Sequence, residues 1–146
     1  ADAHHITAPA PGGVGAVACM RTALDDAGLS PADIRQINAH GTSTPLNDAA
    51  EAAAVTTVFG ERGVPITSTK GVTGHALGAA GALEAAAVLL SMEHALIPPT
   101  AGTTVLDEGM EIDVVLGAAR PWEPGPTMSN SLGFGGHNTC LLIGKI

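Results

Sequence analysis

With 146 residues, 14 acids against 6 bases and a net charge of -8, the chain lacks the basic, aromatic-interleaved face that a nucleic-acid binder requires. Hydrophobic residues make up 45% of it but aromatics only 2%, so its core must gain density from close backbone approach rather than from large side chains. The longest weakly charged run, Ala76 to Leu90, carries Glu84 and is too short to cross a bilayer, so it reads as a buried helix and no membrane partner is expected.

The length suits one domain with a sizeable core. The opening ADAHHITAPAPGG, rich in proline and paired glycine, predicts a loop. Val14 to Ala27 has helical periodicity, with Val17, Met20 and Leu24 on one face, Arg21, Asp25 and Asp26 opposite, and Gly28 as its stop. Ser30-Pro31-Ala32-Asp33 offers an N-cap, a proline at the first helical position and an acid at the third. Arg35 to Ala39 predicts a short strand, Asp48 to Phe59 a helix ended by Gly60, and Pro65 to Thr69 a β-branched strand. Gly74 to His94 predicts one long helix, stopped by Pro98-Pro99. Ile112 to Leu116 is a strand candidate, and Thr127 to Leu132 with Thr139 to Ile143 form a final pair around GFGGHN. Strands alternating with helices and closing on a hairpin predict an α/β layered domain.

Cys19 and Cys140 are far apart in sequence and lack CxxC spacing, so no disulfide framework and a reduced, cytoplasmic setting are expected. No N-terminal stretch has the basic start, apolar run and cleavage site of a signal peptide. A start at Ala1 rather than methionine sets the expectation of a piece of a longer polypeptide.

Hydrogen-bonding groups concentrate in three blocks. NAHGTSTPLND, residues 38 to 48, places His40 just past a strand end, where a loop on a rigid sheet can aim it into a cleft. Thr42 and Thr44 alternate along an expected extended piece and could line one wall. Taken alone, His40 reads first as a buried structural histidine, and Asp48 as a helix cap. STKGVTGHALGAAG, residues 68 to 81, adds Lys70 after a strand, an odd place for a lysine without partners. It also puts His75 at an expected helix start, where the dipole favours a neutral imidazole that can donate an N–H. Glu84 is either solvent-facing or buried against a cation, with Lys70 the nearest candidate. SNSLGFGGHNT, residues 129 to 139, sets Phe134 among glycines, either as a wall beside a pocket or as a plug in the core.

Competing motifs fall short. Gly13-Val14-Gly15-Ala16-Val17-Ala18 has dinucleotide-fingerprint spacing, but no strand leads into it. Lys70-Gly71 lacks the ordered glycines of a phosphate loop. His4, His5, His40, His75, His94 and His137 show no zinc-helix spacing and no cysteine pair joins them, so no metal is expected; His94 reads as surface.

HGTSTP, STKGVTGHALGAAG and SNSLGFGGHN follow one another in the order and spacing of the elongating β-ketoacyl-acyl carrier protein synthases of fatty-acid and type II polyketide assembly, and the opening ADAHHITAPAPGG is also similar to theirs. The chain resembles the C-terminal half of such an enzyme over essentially all 146 residues. The resemblance implies a thiolase-like α/β fold of two similar halves, with residues 1–146 as the second. It implies a Cys-His-His site in which His40 and His75 are the histidines, Lys70 orients the network around His75, and Glu84 holds the lysine. Asp48 is carried over as a supporting residue. Thr42 and Thr44 resemble residues that bind the phosphopantetheine arm, and Phe134 with Gly135 the gate beside the acyl pocket. No cofactor is implied beyond the phosphopantetheine of the carrier protein. The implied partners are acyl carrier protein, the N-terminal half and a second ketosynthase subunit in a homodimer or heterodimer. The nucleophilic cysteine belongs to the N-terminal half, and neither Cys19 nor Cys140 has its setting at a helix start. The chain alone is therefore expected to be inactive. A non-catalytic scaffold of the chain-length-factor kind is the alternative, and a degradative thiolase-like enzyme would want a further cysteine in the last glycine turn.

Overall fold

The computed structural model describes residues 1–144. Prolines and glycines keep the opening segment irregular up to a 3-10 turn at Pro11–Gly13. Helix α1 (Val14–Ala27) follows and stops at Gly28, whose φ of 65° lets its N–H turn back to the carbonyls of Leu24 and Asp25. At the next turn the Asp33 carboxylate accepts from the Ser30 N–H (2.8 Å) and hydroxyl (2.6 Å), as the Ser-Pro-Ala-Asp pattern predicts. The remaining elements are β1 (Gln36–Asn38), α2 (Pro45–Phe59), β2 (Pro65–Thr67), α3 (Lys70–Thr73), α4 (Ala80–His94), β3 (Leu96–Ile97), β4 (Asp113–Val114), β5 (Arg120–Pro121), β6 (Thr127–Gly133) and β7 (His137–Ile143).

The main sheet has the order β4-β2-β1-β6-β7. Its first four strands are parallel and β7 returns antiparallel to β6, while β3 and β5 pair separately. Helices α1 and α2 pack together on one face, closing a core of Met20, Leu24, Ala54 and Val55 over Ile37, Ile66 and Met128. On the other face α4 packs against β6, and the layer between them is polar. Ser91 of α4 donates its hydroxyl to Gln36 Oε1 (3.1 Å), and Asn38 bonds Ser129 (3.4 Å). β1 is thus buried on both faces yet apolar on only one, which is why its sequence reads as mixed.

Helix α4 buries Ala80, Glu84, Val88, Ser91 and Met92 as one stripe. Leu83, Leu89 and Leu90 emerge on its outer side, the last two more than half exposed.

The strands expected over 35–39, 65–69 and 112–116 are shorter, the last strand begins at His137, and two expected helix starts shift. The long helix from Gly74 is broken: α3 ends at Gly74 (φ 67°, ψ 178°), Leu77 is left-handed (φ 49°), and α4 begins only at Ala80. These two backbone reversals interrupt the helical run between Thr73 and Ala80. Helix α2 begins three residues early, because Pro45 supplies a preset φ at its first position.

Of the two glycines before α1, Gly13 has a packing role. Gly13 has a φ of +67°, and a Cβ there would stand 2.1 Å from the Ala50 carbonyl oxygen of α2. We expect Gly13→Ala to cost about 2–3 kcal/mol, from the left-handed backbone plus overpacking, read as a lower urea midpoint at unchanged slope.

Candidate active site

Parallel β1 and β2 end at the same edge of the sheet, in the register Asn38 with Thr67. His40 lies just beyond the first and Lys70 opens the short helix after the second, so adjacent strands deliver both side chains to one point. The Lys70 ammonium has three N–H donors, and three acceptors meet it: Glu84 Oε1, the His40 carbonyl, and His40 Nδ1 at 3.3 Å. Glu84 is only 2% exposed, which resolves its two readings in favour of the buried partner of Lys70. The ammonium braces His40, however, and not His75.

The His40 and His75 rings meet edge to face, with centroids 5.3 Å apart and planes at 84°. An ammonium can only donate, so His40 Nδ1 is the accepting nitrogen and the ring proton sits on Nε2. His75 follows the same logic by another route. It sits in the turn between α3 and the Leu77–Ala79 3-10 turn, not at a helix start, and its Nδ1 accepts the Leu77 N–H at 3.2 Å. A backbone donor replaces the expected helix dipole, and again leaves Nε2 as the donor. His40 is buried at 7% exposure. Desolvation first, then the Lys70 charge and, after it, the nearby His75 ring lower its pKa from 6.5 to about 4.

Glu51 escaped the sequence reading. This buried α2 carboxylate accepts the backbone N–H groups of His40 and Gly41, each at 2.9 Å, and the Asn130 side-chain amide at 3.3 Å. Burial raises its pKa, and those three donors oppose the shift. The available signal was an acid within the alanine-rich AAEAAAV, the same oddity that exposed Glu84. Asp48 is not a cap, because Thr44 occupies that place; it stands half-buried in the first turn and accepts from Asn47 Nδ2 at 3.0 Å.

Two clefts flank the pair. The larger, about 850 Å³, is lined by both imidazoles, Thr42, Thr44 and Phe134. The smaller, about 400 Å³, shares His75 and Thr42 and adds Lys70, Ser43 and Asp48. Thr42 and Thr44 are not on an extended piece: Ser43 between them is left-handed (φ 59°), and their hydroxyls hydrogen-bond at 2.8 Å. Phe134 is 76% exposed, a cleft wall and not a core plug. Gly135 (φ 71°) turns the chain beside it and donates its N–H to the Ile6 carbonyl at 2.8 Å. Asp2 ties the same turn down, donating its N–H to Gly136 O (3.1 Å) and accepting from Asn138 Nδ2 (2.7 Å).

Cys19 of α1 and Cys140 of β7, distant in sequence, come side by side in the fold; burial, then the neighbouring Cys19, pushes the Cys140 thiol well above its usual range. Among the described residues no cluster of three or more His, Cys, Asp or Glu side chains is arranged to hold a metal, and no helix is long and apolar enough to cross a membrane.

The family described as "Beta-ketoacyl synthase, C-terminal domain" matches residues 1–104. A 3-oxoacyl-[acyl-carrier-protein] synthase 2 of Staphylococcus aureus (strain COL) is 45% identical over 146 residues, covering 99% of this chain and 35% of that protein. Among solved structures, the ishigamide ketosynthase/chain length factor matches with a TM-score of 0.94 at 39% identity, over 99% of this chain and 36% of that one. A chain of AntDE:AntF, a type II polyketide acyl-carrier protein in complex with its ketosynthase, matches at a TM-score of 0.94 and 32% identity, over 99% of this chain and 36% of that one. The fold is the thiolase-like fold of these ketosynthases, one half of it. The chain spans about a third of the length of the relatives it matches.

Removing only the Lys70 charge leaves Glu84 buried without its cation, so Lys70→Met should cost roughly 3–5 kcal/mol, and adding Glu84→Leu should recover most of it in a denaturant double-mutant cycle. For His40 the folded pKa of about 4 lies below 6.5, so the unfolded chain binds the extra proton between those values. Stability should therefore rise with pH across that window, by up to roughly 3 kcal/mol, and His40→Asn should flatten that part of the curve.

Proposed function

This chain belongs to the β-ketoacyl synthase family through its C-terminal domain, and from that premise we propose that it supplies the two-imidazole part of a decarboxylative condensing site. The single observation that carries the reading is the paired Nε2–H donors of His40 and His75, each set by a donor on Nδ1, lining one cleft.

When a malonyl thioester loses carbon dioxide, the C–C bond to the carboxylate breaks and its electron pair moves toward the thioester oxygen as an enolate. Two neutral N–H groups aimed at that oxygen stabilise the developing charge without surrendering a proton beforehand. The enolate carbon then attacks an acyl thioester carbonyl, the new C–C bond forms, and the acyl group's sulfur leaves as a thiolate. Burial and then Lys70 keep His40 neutral, Lys70 sets its tautomer, and Glu84 and Glu51 hold the lysine and the His40 backbone. Thr42 and Thr44 are assigned to the arm that presents the thioester, and Phe134 with Gly135 to the mouth of the acyl pocket. Asp48, away from the imidazoles' cleft, is kept only as a support for the α2 start.

The nucleophilic thiol is assigned to the part of the synthase that the relatives possess and this chain does not span. Cys140, half-buried on the edge strand β7 beside Cys19 and disfavoured as thiolate, does not suit the role. The outer apolar side of α4, with Leu83, Leu89 and Leu90, is the face that such a part would cover. Acyl carrier protein and a second ketosynthase-type subunit complete the proposed assembly, as in the complexes of AntDE:AntF and ishigamide ketosynthase/chain length factor. The reading requires no cofactor of the chain's own. A non-catalytic chain-length-factor role is the alternative, and it has no use for a neutral imidazole pair backed by a buried Lys–Glu couple.

The isolated chain, incubated with an acyl carrier thioester, should show no stable acyl adduct by intact mass. Assembled with the cysteine-bearing part, it should release carbon dioxide from malonyl carrier protein, and His40→Ala or His75→Ala should each slow this by about 10²–10³-fold while acylation of the cysteine persists. Undiminished decarboxylation in both variants would end the proposal.

A further inference from the structure

Between His40 and α2 the chain is pinned at both ends. Glu51 holds the N–H groups of His40 and Gly41, Ser68 donates its hydroxyl to the Gly41 carbonyl (3.2 Å), and Lys70 holds the His40 carbonyl. At the far end the Asp48 N–H donates to the Thr44 carbonyl (3.0 Å). Between these anchors, Ser43 adopts a φ of 59°. An L-residue with a side chain resists that region, and glycine would enter it freely. Such strain persists only where the surroundings dictate it, and it gathers at functional sites.

The consequence is geometric. In an extended segment, residues two apart point the same way but stand roughly 6–7 Å from each other. The left-handed reversal at Ser43 instead brings the Thr42 and Thr44 hydroxyls to 2.8 Å. It also turns Ser43 toward the smaller cleft while Thr44 lines the larger one and Thr42 borders both. One hydroxyl donates to the other, so the pair offers the larger cleft one remaining O–H together with oxygen lone pairs. A secondary amide carries the matching acceptor and donor.

We propose that Ser43 is a positioning residue: its left-handed backbone holds Thr42 and Thr44 together as one two-way hydrogen-bonding group for an amide of the thioester-bearing arm. This rests on the arm-binding reading of Thr42 and Thr44 given above, and deepens it by naming what sets their geometry.

The test compares Ser43→Val, whose branched side chain resists the left-handed region, with Ser43→Gly, which enters it without strain. Both are made in the enzyme assembled with its cysteine-bearing part and assayed with malonyl carrier protein. Ser43→Val should raise KM about three- to tenfold with kcat within about twofold, the signature of one weakened ground-state hydrogen-bonding group. Ser43→Gly should restore KM, and the Ser43→Gly chain should melt no lower than the wild type. A Ser43→Gly KM as high as that of Ser43→Val would overturn the proposal, since the serine side chain and not its backbone would then matter. Crystal structures of the two variants, with the Thr42→Val/Thr44→Val variant assayed alongside, separate the two readings. If the double valine variant leaves KM unchanged, arm binding by the threonines fails on its own account. Positioning then stands if the hydroxyls move beyond hydrogen-bonding distance in Ser43→Val, and falls if they remain paired.

Discussion

The site depends on one ammonium group. Lys70 is buried between a carboxylate, a carbonyl and an imidazole nitrogen, and each of its three protons has an acceptor. Without those acceptors the charge would cost several kcal/mol to bury. With them, it joins three parts of the fold that are remote in sequence: the end of β1, the start of α3, and α4. The same contact decides which nitrogen of His40 carries a proton. The ion pair is therefore a device for orientation and tautomer selection more than for net stability.

That arrangement explains the unequal faces of the sheet. Toward α1 and α2 the strands present Ile37, Ile66 and Met128, and the core closes by apolar packing. Toward α4 they present Gln36, Asn38 and Ser129, and the layer closes by the Ser91–Gln36 and Asn38–Ser129 hydrogen bonds, with Glu84 beside it on Lys70. An entirely apolar second layer would give Lys70 nowhere to anchor. Glu51 reaches the same loop from the opposite face, so the His40 turn is gripped from both sides of the sheet. Rigidity at His40 contrasts with His75, which is exposed on a turn and fixed by a single backbone donor.

Two carboxylates show how far local sequence can be read. Glu84 stood out because an acid in an apolar helix needs a cation, and Lys70 was in view. Glu51 sits in an equally alanine-rich helix, but its partners are backbone N–H groups and an amide, which leave no trace in residue type. His75 shows the opposite case. A helix dipole was expected to favour a ring N–H donor there, but Gly74 and Leu77 broke the helix, and the contact that favours such a donor is the Leu77 N–H on Nδ1.

By itself, the sequence determined the α/β alternation, the closing hairpin, the three hydrogen-bonding blocks and the glycine stops, because these follow from periodicity and backbone sterics acting within a few residues. It also carried the family resemblance, and with it the thiolase-like fold. Tertiary structure alone decided that Lys70 serves His40, that Glu51 belongs to the site, that Cys19 lies beside Cys140, and that a left-handed serine brings two threonines together. Each of those outcomes depends on distances between chain segments, and such distances are set only when the sheet register and the helix packing are complete.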